Sequence, residues 1–196
     1  MTPGPVGFHA ALQAAQQGEA WGFEALYRAT RGRVGAFVAA RGVDDVDDVV
    51  SETFLGVFRS LGRFEGGEGE FRSWLFRIAR NKVADSFRVQ GRRPPTVSLP
   101  DGFDCAGGDV ESDADIELGR ADLVRLFETL RPDQAEVLLL RLVGDFTVAQ
   151  VATVMGRSEG AIKAHQRRAL ARLREELAQN SAAVLYPSGV LERCLD

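Results

Sequence analysis

Between Phe146 and Arg174 the chain carries residue types suited to reading DNA, spaced as two helices joined by a tight turn. Thr147 and Gln150 stand at capping-box spacing and open a helix whose apolar residues are Val148, Val151, Ala152 and Met155. Gly156 supplies a positive-φ turn residue, and Ser158 caps a second helix with Glu159 in its first turn, where the helix dipole favours an acid. On that second helix Ile162, Ala169 and Leu173 point inward, while Lys163, Gln166, Arg167 and Arg168 occupy the rest of the circumference. From Arg157 to Arg174 there are six basic residues against one acid, Glu159. Lys and Arg can neutralise phosphates there, and Ser158, Glu159 and Lys163 near the helix start can reach base edges in a major groove. Gly160 and Ala161 are small enough to let backbone approach DNA.

A second basic segment runs from Phe71 to Arg93. Its seven cations, Arg72, Arg77, Arg80, Lys82, Arg88, Arg92 and Arg93, meet one acid, Asp85. Phe71, Trp74, Leu75, Ile78 and Val83 form an apolar stripe among them, and aromatics interleaved with cations suit a surface that holds opened, single-stranded nucleic acid. Catalytic patterns are absent from the sequence. The Gly-rich stretch Gly62 to Glu70 is not followed by Lys-Ser/Thr, and neither histidine belongs to a nucleophile motif. Cys105 and Cys194 are far apart, as are His9 and His165, so no disulfide framework or metal-ligand spacing emerges. The expectation is a protein without catalysis, cofactor or small-molecule substrate.

The elements that position these residues are helices. Apolar residues recur at three-to-four spacing from Phe8 to about Gln90, as in Phe23, Leu26, Tyr27, Val34, Phe37 and Val38, then Val46, Val49, Val50, Phe54, Val57 and Phe58. Breaks fall at Gly42 to Asp45 and at Gly62 to Glu70, and a further helix opens near Phe71 and runs to about Val89. The sequence thus predicts an all-α protein of two helical domains: residues 1–93, a Pro/Gly-rich linker at 94–115, a second domain at 116–179 with four short helices, and a tail at 180–196 whose apolar residues either dock or, as termini more often do, fray. Seven acids and no base between Asp101 and Glu117 keep the linker extended by self-repulsion. With a formal net charge of −4 the chain is not a general nucleic-acid coat, so any DNA binding rests on local charge. No secretory leader or membrane-length apolar run is visible, which makes the expected location cytoplasmic.

Taken together, these segments resemble the extracytoplasmic-function group of bacterial sigma-70-type RNA polymerase sigma factors, over roughly Phe8 to Leu177. Val43-Asp-Asp-Val-Asp-Asp-Val-Val-Ser-Glu-Thr-Phe-Leu-Gly-Val-Phe-Arg is similar to the family's polymerase-binding helix, Phe71 to Arg93 to its promoter-melting and −10 helix, and Leu130 to Leu173 to its −35 domain. The resemblance implies a sigma region 2 bundle and a sigma region 4 helix-turn-helix. Asp47, Asp48, Val50, Glu52, Thr53, Phe54 and Val57 would then face the clamp coiled coil of the largest polymerase subunit, and the flap of the second-largest subunit would be a further partner. Arg77, Arg80, Asn81, Lys82, Asp85, Arg88, Arg92 and Arg93 would contact the −10 region, and the loop Gly62 to Glu70 would help to capture an unstacked base. Ser158, Glu159, Gly160, Ala161, Lys163, Gln166, Arg167 and Arg168 would read the −35 region. The acidic linker would thread the polymerase cleft, and an anti-sigma factor is a further partner that the resemblance allows.

The implied function is promoter recognition, DNA melting and transcription initiation with core polymerase. A polymerase-independent helix-turn-helix regulator is the alternative; it accounts for the second domain but leaves the first without a role.

Overall fold

A computed structural model of the chain describes residues 7–91 and 125–180. The linker at 94–115, the residues Ile116 to Leu123, and the tail beyond Asn180 lie outside the described residues. Helices are the only regular elements among those described, in line with the all-α expectation.

The first module contains α1 (Phe8–Gln16), α2 (Ala20–Ala40), α3 (Val46–Ser60), a 3-10 turn at Leu61–Arg63, and α4 (Glu68–Val89). α3 starts where Asp45 leaves the helical conformation and its carboxylate accepts the Asp48 amide at 2.9 Å, with Asp47 and Asp48 in the first turn. α4 begins three residues before Phe71, so the Gly-rich loop is shorter than its composition suggests: the Glu70 carboxylate accepts the Gly67 amide at 3.1 Å and starts the helix inside that stretch. α2 packs on α1, α3 and α4 around Leu26, Val34, Phe37, Val38, Val49, Val50, Phe54, Val57, Leu75, Phe76 and Val83, all buried. Aromatic pairs interlock the layers, with ring centroids 4.7 Å apart for Phe23 with Phe58 and for Tyr27 with Phe54.

The second module has a helical segment at 125–128, then α5 (Pro132–Leu142), α6 (Val148–Met155) and α7 (Glu159–Asn180). Pro132 occupies the first turn of α5, where its missing amide costs nothing. The last helix is not short, as expected from the sequence, but spans 22 residues. Phe127, Leu130, Ala135, Leu138, Leu139, Ala169, Leu170 and Leu173 form this module's own core, which also takes in Ala40 from the end of α2.

The two modules are in contact. The first module's core continues without interruption through Val137, Leu140, Phe146, Val151, Ala152, Val154, Met155 and Ile162, so α5 and α6 share it. α6 packs along α4, and α5 meets the end of α2. The sequence reading treated the modules as separate; the structure joins them, because α5 is buried on all sides. Gln134 to Leu140 is an unbroken run of seven buried residues, more than one face of a helix can supply to a single core.

Candidate nucleic-acid and partner interface

The helix-turn-helix geometry is built as its residues predict. Thr147 Oγ1 accepts the Gln150 amide at 3.3 Å, and the Gln150 side chain accepts the Thr147 amide at 2.8 Å, closing the box that starts α6. Gly156 ends α6 at φ 64° and ψ 39°, the left-handed conformation that a residue without Cβ adopts freely. The Ser158 hydroxyl then accepts the Ala161 amide at 3.3 Å and opens α7. Ile162, Ala169 and Leu173 are buried, whereas Ser158, Glu159, Gly160, Lys163, Arg167 and Arg168 are exposed, and Ala161 and Gln166 are half-buried at the edge of that face. Arg157, in the turn, pairs with Asp133 at 2.8 Å and ties α5 to the start of α7.

α4 presents its cations differently. Arg77, Asn81 and Arg88 are exposed. Arg88 pairs with Asp85 one turn away, so two residues expected on one DNA face neutralise each other locally. Lys82 donates to Glu52 at 2.9 Å, which links a predicted −10 contact on α4 with a predicted polymerase contact on α3. That hydrogen bond, then the charge of Lys82, lowers the Glu52 carboxyl below its ordinary value of 4.5. Arg80 is turned to the second module, its Nε donating to Glu136 Oε1 at 2.9 Å and its Nη2 to Oε2 at 3.4 Å. Arg72 donates to the Gly144 carbonyl and lies 5.3 Å from the ring centroid of Phe146; burial, with Arg33 adding to it, lowers its pKa. Arg92 and Arg93 lie outside the described residues.

On α3 the expected polymerase-facing set divides. Asp47 and Asp48 are exposed and Glu52 is half-buried, but Val50, Thr53, Phe54 and Val57 are buried. Their burial has a plain cause: they are the stripe with which α3 packs, Phe54 edge-on to Tyr27 and Thr53 donating back to the Val49 carbonyl at 2.7 Å. They are therefore not available as surface anchors in this conformation. The outward stripe is Asp48, Ser51 and Leu55, and Leu55, 44% exposed, is its apolar member. A helical wheel through the buried positions places Leu55 on the outward face, one residue on from the buried Phe54.

Between the end of α3 and α4 an open cleft of about 400 Å³ is lined by Ser60, Arg63, Phe64, Glu65 and Trp74. Phe64 stacks on Trp74 with centroids 5.0 Å apart and planes at 27°, leaving a flat aromatic wall beside a cation and an acid. Stacking surface and hydrogen-bonding groups in one open cleft are what an unstacked base requires. Nothing among the described residues gathers three or more metal-ligating side chains, and no helix there is long and apolar enough to cross a membrane.

Comparison with known proteins gives this arrangement a family. Residues 23–93 match Sigma-70 region 2 and residues 120–173 match Sigma-70, region 4. The chain is 36% identical over 165 residues to the ECF RNA polymerase sigma factor BldN of Streptomyces coelicolor, a match that covers 81% of this chain and 61% of BldN. It is 33% identical over 158 residues to the ECF RNA polymerase sigma factor SigD of Mycobacterium tuberculosis, covering 78% of this chain and 71% of SigD. The fold is similar to that of CnrH, solved in complex with the cytosolic domain of CnrY, with a TM-score of 0.65, 25% identity, and coverage of 87% of this chain and 97% of CnrH. Two sigma-70 modules in the expected order, with relatives of this group along most of the length, establish that the chain belongs to the extracytoplasmic-function group of sigma-70-type RNA polymerase sigma factors.

Proposed function

We propose that this chain binds RNA polymerase core and directs it to promoters, where it recognises the −35 and −10 regions and melts the DNA. The observation that carries the reading is the pairing, in one chain, of an exposed basic recognition helix with a module that shows an outward acidic-apolar stripe. An independent DNA regulator needs the first and has no use for the second.

In this reading Asp47, Asp48, Ser51, Glu52 and Leu55 meet the clamp of the largest polymerase subunit, acids against its basic residues and Leu55 as the apolar contact. The second module meets the flap of the second-largest subunit and reads −35 DNA through Ser158, Glu159, Lys163, Arg167 and Arg168. Arg77, Arg80, Asn81, Lys82 and Arg88 approach the −10 region. The Phe64 and Trp74 cleft receives a non-template base whose extrusion costs a few kcal/mol. The protein acts in the cytoplasm and catalyses no reaction of its own. An anti-sigma factor is a natural further partner, given that CnrH was solved with the cytosolic domain of CnrY.

Run-off transcription of a genomic promoter pool by core polymerase, with and without this chain, tests the proposal. Transcripts that need both establish it and reveal the promoter. Promoter binding by the chain alone, with no core-dependent transcript, would instead favour the independent regulator.

A further inference from the structure

We infer that Gln16, the last residue of α1, is a positioning residue for the Phe64 and Trp74 cleft: it fixes the aromatic wall against which an unstacked base lies. The inference rests on the reading of that cleft as a base-receiving site and adds the group that sets its shape.

A single side chain spans the gap from α1 to the cleft. The Gln16 side-chain amide donates to the Leu61 carbonyl at 3.1 Å and to the Phe64 carbonyl at 2.8 Å, so both of its hydrogens are spent on one turn. Leu61 opens that 3-10 turn, and Phe64 follows it in extended conformation at φ −77° and ψ 128°. The Phe64 amide donates to the same Leu61 carbonyl at 3.0 Å, and the Leu61 side chain is buried, so the near end of the turn is held three ways. Beyond Phe64 the chain passes through Glu65 to Gly66, which sits at φ 149°, a conformation that residues with a Cβ rarely adopt. The Gln16 bond therefore sets the plane of the peptide after Phe64, where the backbone leaves the turn and has not yet entered α4.

That peptide carries the wall. Phe64 stacks on Trp74, and its ring also meets Phe71 with centroids 5.6 Å apart and planes at 82°. Phe71 in turn lies 5.5 Å from Phe8, in the first turn of α1. Thus α1 braces the wall at both of its ends, through the hydrogen bonds of Gln16 and through the ring of Phe8. Arg63 and Glu65, the charged residues of the cleft, flank Phe64 in the chain, so turning this peptide re-aims all three side chains together. A base gains stacking only on a face already held at the right angle, and a wall free to turn gives up part of that gain.

The test uses the full chain with Gln16→Met, which keeps the length and removes the donors, and Gln13→Met, an exposed position on the same helix, as control. Gln16→Lys, a donor of similar reach, is the rescue variant. Without polymerase, hydrogen exchange of the 61–65 segment should be about fivefold faster or more in Gln16→Met than in wild type or Gln13→Met, at unchanged helical circular dichroism. With core and a promoter, the rate of −10 opening followed by permanganate should fall about tenfold in Gln16→Met while affinity for core stays the same. Gln16→Lys should restore both exchange protection and opening. Exchange no faster than in Gln13→Met, core affinity that falls in step with opening, or opening restored by Gln16→Lys while exchange stays fast would each overturn the inference. If wild type with core opens no promoter, the sigma reading fails and the cleft's role with it, whereas the exchange experiment decides by itself whether Gln16 fixes the turn.

Discussion

Helices α4 and α7 have much the same charge recipe, and the structure uses them in opposite ways. α7 turns Lys163, Arg167 and Arg168 to solvent and pairs only Arg172, further along, with Glu176, whereas α4 leaves Arg77 exposed but has Arg80 on Glu136, Lys82 on Glu52, Arg88 on Asp85 and Arg72 on the Gly144 carbonyl. A run of cations thus states an affinity for anions without stating which anion is satisfied. Near the start of α7 the cations are left to solvent; on α4 all but Arg77 of those described are met, in this conformation, by the protein itself.

The contrast is sharpest where a core position serves both modules. Phe146→Ala removes a fully buried ring that α4 and the second module share, and we expect a loss of about 3–5 kcal/mol in denaturant unfolding. Phe54→Ala should cost a similar amount for the same reason. By comparison Asp48→Ala combined with Leu55→Ala should weaken core polymerase binding by about 2 kcal/mol while leaving the unfolding midpoint within error. A Phe54→Ala variant of normal stability that fails to bind core would return the anchor to Phe54.

On the DNA side, Arg167→Ala should weaken binding of promoter DNA by about 1–3 kcal/mol, and should lower the salt dependence by about one counter-ion if the contact is a phosphate. The smallest effect belongs to the Glu52 to Lys82 tie. Because Lys82 lowers the Glu52 carboxyl, the stabilisation it gives is present above pH 4.5 and is lost as the pH falls through the lowered folded value. Wild type and Glu52→Gln should therefore differ in thermal stability at pH 7 and converge in acid; a difference that grows toward acid pH would contradict the pairing.

Much of this was legible in the residues. Thr147, Gln150, Gly156 and Ser158 specify the helix-turn-helix through hydrogen bonds between near neighbours, and local chemistry of that kind reads directly from sequence. The Phe71 to Val89 stripe was likewise placed, although Phe76 and Phe87 joined it as buried residues that the pattern had not singled out. On α3 the periodic set that includes Phe54 and Val57 already implied their burial, and assigning them to a partner surface ran against that periodicity. What sequence did not disclose was the joining of the modules, because Glu136 with Arg80 is a pairing across 56 positions and no local rule reaches so far. A signal was present all the same: Val137 to Leu140 is four apolar residues in a row, too many for one face of a surface helix.

The central claim is that this chain opens DNA only as part of a polymerase complex. Permanganate footprinting tests it most directly, on a promoter recovered from the run-off pool, with core alone, chain alone and both together. The account predicts reactive thymines around the −10 region only when both are present, and weaker reactivity with Arg77→Ala or Trp74→Ala. Reactivity with the chain alone, or none with both while the chain still binds the promoter, would contradict it.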